Sequence, residues 1–166
     1  NEQGEVGLSY TDYFAQRIEA TNLPVWFNKG FATLNYTTAN VLADLQANIS
    51  KSVYNTAGEQ KNKLSIRDGI AGADIITISA GTNDVLKHVT VSSTGQLTID
   101  EQGLLEEVKQ VTKNYEAIMQ EVQLSNPSAD VLVMGYYNPF PQQNQEMNSQ
   151  LDSLVSVMDQ AVKQVV

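Results

Sequence analysis

Two short apolar runs constrain this chain more than anything else in it. Residues 74–79 (DIITIS) and 130–136 (DVLVMGY) are nearly unbroken stretches of aliphatic residues. Runs of that kind suit strands buried on both faces of a parallel sheet. Between them lies a helical pattern, with Leu104, Leu105, Val108, Val111, Tyr115, Ile118, Met119 and Val122 on one face. Parallel strands cannot be joined by a tight turn and need a crossover of a dozen or more residues, usually a helix. Strand, helix, strand is therefore the expected unit.

The rest of the chain repeats the alternation. Residues 8–20 read as a helix with Tyr10, Phe14 and Ile18 on one stripe, and 24–28 (PVWFN) as a short strand with Trp26 in the core. A helix opens at Thr37 or Thr38 and carries Val41, Leu42, Leu45 and Ile49. Residues 50–60 are polar and read as loop. A helix over about 60–70 (Leu64, Ile66, Ile70) ends near Gly72. Residues 88–98 read as a loop or small hairpin around Ser93-Thr94-Gly95, and Thr98 with Glu101 as a capping box for the long helix. Pro139 and Pro141 mark a loop, and a last helix covers about 144–165. The pattern predicts an α/β fold, a three-layer α/β/α sandwich around a parallel sheet. With 166 residues, one domain over 1–166 is expected.

Composition narrows function. There is no Cys, which removes disulfides, thiolate metal sites and a Cys nucleophile. A net charge of -9 disfavours nucleic acid as a partner. No apolar run approaches the roughly 20 residues of a membrane-spanning helix. The chain starts at Asn1 rather than Met, which reads as a processed or excised end. Compartment stays open, with a bacterial secreted or envelope location favoured over cytoplasm.

In open parallel sheets ligands sit at the carboxyl ends of the strands. The segments expected there are Asn28–Thr38, Ala80–Asp84 and Tyr136–Pro141, and each contains Asn: Asn28 and Asn35, Asn83, Asn138. Uncharged amide donors at a strand end suit an oxyanion hole. Asn and Gly are also ordinary turn residues, so the local pattern supports both readings.

The combination is more specific. Ile76–Leu86 (ITISAGTNDVL) resembles the third signature block of the SGNH hydrolases, also called GDSL-type lipases and esterases: Gly-x-Asn-Asp after a buried strand. Asn28–Leu42 (NKGFATLNYTTANVL) is similar to the second block of a bacterial lipolytic subgroup, and Val131–Pro141 (VLVMGYYNPFP) to the segment after its fourth strand. The resemblance implies a flavodoxin-like fold and a serine esterase with a Ser-His-Asp triad and no metal or organic cofactor. Its substrate would be a small ester or lipid. It implies that Asn83 is the side-chain oxyanion donor and that Asp84 and Gly81 support the loop. Position 35 matches the family's second-block Gly. Asn35 stands there instead, and its backbone N–H could serve equally, since Asn tolerates the left-handed conformation.

The family's first block, Gly-Asp-Ser, and its last, Asp-x-x-His, have no counterpart in the sequence. The stretch Asn1–Phe14 resembles the family's segment soon after the nucleophile, so the expectation is a domain truncated at both ends. In the family's strand order the first strand separates the second from the third. A missing chain segment or a second copy would then complete the sheet.

Single residues carry two readings each. Tyr136, Tyr137, Asn138 and Phe140 could line an acyl pocket, or the aromatics could simply pack the loop on the sheet. His88, the sole His, reads as an exposed loop residue rather than a base, and no second His or Cys could join it on a metal. Glu106-Glu107 reads as a solvated helix face. The rival functional reading is a non-catalytic small-ligand or glycan-binding module of the same fold.

Overall fold

The computed structural model describes residues 9–23, 25–54, 60–94, 97–138 and 145–166. Its elements run α1 (Tyr10–Glu19), α2 (Thr38–Gln46), β1 (Ser50–Tyr54), β2 (Gln60–Ser65), α3 (Ile66–Ala71), β3 (Ile75–Ile78) and α4 (Thr82–Leu86). They continue with β4 (Val89–Val91), β5 (Leu97–Ile99), α5 (Glu101–Ser125), β6 (Asp130–Val133) and α6 (Gln145–Lys163). The chain divides into two compact units: residues up to Thr33 with Ser50–Ser65, and Leu34–Ile49 with Ile66–Val166.

The larger unit is organised by α5. Its apolar residues recur at three and four positions, which places them on one stripe of the helix. Val111, Tyr115, Ile118 and Val122 are 0–2% exposed. They join Leu45 of α2, Ile70 of α3, Ile78 of β3, Val85 of α4, and Met158 and Val162 of α6 in one core. Asp100 caps α5: its Oδ1 accepts from Gly103 N–H at 3.1 Å. An Asp there also favours the positive end of the helix dipole.

β3 and β6 pair in parallel, Ile75 opposite Asp130 through Ile78 opposite Val133. Asp130 N–H to Asp74 O and Met134 N–H to Ile78 O, both 2.9 Å, extend the ladder at its two ends. The crossover between the two strands includes the β4–β5 hairpin and α5. The strand–helix–strand unit read from the sequence is thus present. Burial on both faces is not: Ile75 is 38% and Leu132 45% exposed. Among the described residues this sheet has two strands, so one edge of each has no neighbouring strand.

Other expectations change. Residues 25–28 form no strand, and Trp26 is 58% exposed rather than core. Extended propensity alone does not make a strand, since the backbone groups need a paired neighbour. Within residues 50–65, read as loop and then helix, Ser50–Tyr54 and Gln60–Ser65 pair as the antiparallel strands β1 and β2, with Ser50 opposite Ser65 and Lys51 opposite Leu64. Only Ile66–Ala71 of that helical pattern is helix. Polarity had suggested a loop, but a ladder is held by backbone groups and tolerates polar side chains. Thr98 does not cap α5, because it lies in β5 opposite Thr90. The hairpin at 88–98 is present, while Gly95 lies outside the described residues.

In the smaller unit, Asp12 closes the first turn of α1. Its Oδ2 accepts from Ser9 N–H and from Ser9 Oγ, both at 2.6 Å. Lys29 Nζ pairs with the same oxygen at 2.7 Å. Burial alone would raise this carboxyl, but the Lys29 ammonium and the Ser9 donors outweigh it and hold it at about 2. Lys51 Nζ donates to Thr33 Oγ1 at 2.7 Å.

Two outcomes are expected. Ile118→Ala removes a side chain with no exposed surface and lowers unfolding free energy in urea by about 3 kcal/mol, whereas Leu124→Ala, on an 83% exposed side chain, changes it by less than about 0.5 kcal/mol. Asp12 is depressed below its usual value of 3.8, so its contribution is present above that value and fades as pH falls toward about 2. Lys29→Met should move the Asp12 titration, followed by NMR, upward toward 3.8. An unmoved titration would remove Lys29 as the cause.

Candidate active site

Because β3 and β6 are parallel, their carboxyl ends lie at the same edge, and the segments that follow them meet there. After β3 the chain turns through Ser79 and Ala80 into Gly81, which has φ 107 and ψ -28. That conformation strains any residue with a Cβ. A Cβ at Gly81 would also run into the Tyr136 hydroxyl. Gly81 therefore serves twice, permitting the turn and the close approach of the segment after β6.

Two phenols hold the turn. Tyr136 donates its hydroxyl to Ala80 O at 2.9 Å, and Tyr115 of α5 donates to the same oxygen at 3.0 Å. Burial pushes the Tyr136 phenol well above its usual value, and neighbouring Tyr115, Asp84 and Asp159 add to the shift. Tyr136 thus stays a protonated donor and is no base. Its backbone N–H donates to Asp159 Oδ1 on α6 at 2.9 Å.

Asp84, 2% exposed, is the charged centre of the site. A buried carboxylate is costly unless hydrogen-bonded. Here Thr38 supplies the bonds: its N–H lies 2.9 Å from Oδ2 and 3.2 Å from Oδ1, and its Oγ1 donates to Oδ1 at 2.7 Å. Thr38 is the first residue of α2, so the carboxylate also sits at the positive end of that helix. The Thr38 hydroxyl in turn accepts from Asn114 Nδ2 at 2.8 Å, and Asn114 Oδ1 accepts from Gln110 Nε2 at 2.9 Å. A line of hydrogen bonds thus runs from α5 through α2 to the loop after β3. Thr37 completes the helix start as its N-cap, in a reciprocal box with Asn40.

Asn83 belongs to the same meeting point. Its Nδ2 donates to Tyr36 O at 3.0 Å. Among the described residues that is the amide's one acceptor, so the bond fixes the amide plane and leaves its second N–H to bond elsewhere. Asn35, next to Tyr36, has φ 62, the left-handed conformation that Asn tolerates. The structure therefore ties the turn Gly81–Asp84 to Tyr36, the residue after Asn35. Asn28 belongs to the other compact unit, where its Oδ1 accepts from Gly30 N–H at 2.8 Å and closes a turn.

Tyr136 and Tyr137 line an apolar groove with Thr82, Val85, Leu154 and Val155, among others. Asn138 faces α6 instead, its Nδ2 lying 3.2 Å from Asp152 Oδ1 and 3.4 Å from Asn148 Oδ1. Phe140, like Pro139 and Pro141, lies outside the described residues.

His88 is not exposed as expected. Its side chain is 17% exposed and set between Asp100 and Glu107, 3.5 Å from each. Among the described residues its buried Nε2 has no hydrogen-bond partner. Glu107 is likewise no solvated residue: it is 14% exposed and pairs with Lys87 at 2.6 Å. The reason is shared, since α4 and the start of the β4–β5 hairpin pack on the first turns of α5. Among the described residues no three His, Asp or Glu groups come together as a metal site, and no helix is long and apolar enough to cross a membrane.

Thr38, Asn114 and Tyr115 were not singled out for the site from sequence. Asn114 carried a signal, a polar residue three after Val111 and four before Ile118, on the apolar stripe of α5. A polar residue there must find a partner inside.

Asp84→Asn tests the geometry. It replaces one acceptor with a donor opposite the Thr38 N–H, and it should lower stability in urea by about 2 kcal/mol. Hydrogen exchange of the Thr38 amide should quicken in the same variant. Unchanged exchange would mean that Asp84 does not hold this helix start.

A family model described as GDSL-like Lipase/Acylhydrolase family matches residues 3–166. A search of curated proteins finds no match. With Gly81, Asn83 and Asp84 at the end of a parallel strand, and nearly the whole chain matched, this α/β protein belongs to the GDSL-like lipase/acylhydrolase family.

Proposed function

We propose that the chain carries the oxyanion half of a serine ester hydrolase that works through an acyl-enzyme. Family membership supports ester hydrolysis in general. The finer reading rests on one observation: Asn83 and the turn at Asn35–Tyr36 are tied together at the carboxyl end of β3, through the 3.0 Å bond from Asn83 Nδ2 to Tyr36 O. In this reading the free N–H of the Asn83 amide faces the oxygen on which charge develops. The backbone N–H of Asn35 supplies a second donor. Donors fixed before reaction need no reorganisation as the tetrahedral intermediate forms, which is where their value lies.

Asp84 takes no part in proton transfer in this reading. Held by the Thr38 N–H and hydroxyl, it braces the loop that presents Asn83. Gly81 lets that loop approach Tyr136. The sequence has neither Gly-Asp-Ser nor Asp-x-x-His, so the proposed nucleophile and its base come from residues outside these 166. The 166 residues by themselves are then inactive. The reaction as proposed uses no metal and no organic cofactor, since serine, imidazole and amide donors supply its chemistry.

The test uses the protein as encoded. It should hydrolyse p-nitrophenyl esters and be labelled on serine by a fluorophosphonate. Asn83→Ala should lower kcat by about 10²–10³ with little change in KM. Failure to label, together with no turnover, would favour a binding module instead. A normal kcat in Asn83→Ala would remove Asn83 from the oxyanion hole. Turnover by the 166-residue chain alone would overturn the placement of the nucleophile.

A further inference from the structure

Resting on that reading, we infer that Asn114, in the middle of α5, is a positioning residue for Asn83, and that it acts by setting the direction of a buried chain of hydrogen bonds. The chain runs from Gln110 through Asn114 and Thr38 to Asp84, and its donors all point one way. The carboxylate at its end dictates this, since an ionised Asp only accepts. The Thr38 hydroxyl has one proton and donates it to Asp84 Oδ1 at 2.7 Å. A side chain that faces the Thr38 oxygen from the other side must then donate, and Asn114 does so through Nδ2 at 2.8 Å. That orientation leaves Asn114 Oδ1 to accept, and Gln110 Nε2 fills the role at 2.9 Å. Bonds lined up in one direction polarise and strengthen one another.

Asn suits this position because it is short and carries both a donor and an acceptor. Thr38, Asp84 and Asn114 are all buried, so water is not at hand to replace a lost partner. Leu at 114 would match the apolar stripe of α5 and leave the Thr38 oxygen without its donor. Asp has the shape of Asn but, when ionised, only accepts. Two carboxylates would then compete for the one Thr38 proton. Gln110, at the far end, is exposed, so the chain starts at the surface of α5 and ends on α4.

The consequence falls on Asn83. It precedes Asp84 in α4, and its amide donates to Tyr36 O, just ahead of Thr37 and Thr38. The Asp84–Thr38 contact and the Asn83–Tyr36 bond therefore join the same two segments. A Thr38 hydroxyl turned away from Asp84 loosens one of these ties, and the other alone must then hold the Asn83 amide in plane. Asn114 bonds to Thr38 and Gln110, so its influence reaches Asn83 through Thr38 and Asp84.

The test uses the protein as encoded and a p-nitrophenyl ester. Asn114→Asp should lower kcat by about tenfold or more, with KM within about twofold. Ile118→Ala on the same helix opens a core cavity but leaves the chain intact, and it should keep kcat within about twofold at a temperature where both variants are folded. Thr38→Val should resemble Asn114→Asp, and Thr38→Ser, which keeps the hydroxyl, should restore most of the rate. If Asn114→Asp does not fold, the Thr38 pair carries the same comparison. In a cycle with Asp84→Asn, the losses from Asn114→Asp and Asp84→Asn should not multiply, because both variants break one chain. A kcat no lower than in Ile118→Ala, or losses that multiply, overturns the inference. The NMR signals of the Asn83 side-chain amide give a readout independent of turnover. They should shift or broaden in Asn114→Asp and Thr38→Val and stay in place in Ile118→Ala. Absence of turnover in the unaltered protein sinks the hydrolase reading alone; unmoved Asn83 signals sink the role of Asn114.

Discussion

A buried carboxylate at the start of a helix holds the strand-end loops of the larger unit together. Asp84 has almost no contact with water, and its charge is tolerable only because Thr38 gives it both an N–H and an O–H. The first backbone N–H groups of any helix lack partners within it. Here a carboxylate from a different segment satisfies one of them. One contact thus meets two requirements, the hydrogen bonding of a buried charge and the capping of α2. Breaking it leaves both unmet. The loop after β3 and the turn before α2 are therefore coupled by a penalty rather than by shape alone.

The remaining polar contacts build outward from that pair. Asn114 saturates the Thr38 hydroxyl from α5, and Tyr115, one residue on, anchors the Ala80 carbonyl from the same helix. α5 thereby presents two hydrogen-bonding side chains to the site from its middle turns, within the stripe that faces the core. Residues such as Ile118 and Val122 bury α5 in the core, and Asn114 and Tyr115 tie that packing to the loop by hydrogen bonds. Tyr136 adds a second phenol from the segment after β6. The loop that carries Asn83 is thus held from the start of α2, from α5 and from the segment after β6.

Much of this was legible in the sequence where local rules govern. The strand Ile75–Ile78, the helix α5 and the helix start at Thr37–Thr38 follow from periodicity and capping chemistry and are present, although Ile75 is not buried and Leu105, read on the apolar stripe of α5, is 58% exposed. The segment Gly81–Asp84 was legible as a motif. Where the reading failed, pairing was at issue. PVWFN has the composition of a strand but finds no strand partner among the described residues, and Trp26 stays exposed. Ser50–Tyr54 and Gln60–Ser65 have polar composition yet pair as antiparallel strands. His88 and Glu107 looked like surface residues until the packing of α4 on α5 enclosed them.

The sequence by itself determined the alternation of elements, the parallel unit and the identity of the strand-end residues, because these depend on neighbours within a few positions. Only the tertiary structure decided which polar groups meet. Asp84 and Thr38 are 46 residues apart and Asn114 and Thr38 are 76 apart, and no periodicity relates them. Their pairing is fixed by how α2 and α5 close over the end of β3. There, buried donors and acceptors must find one another because water is no longer available to them.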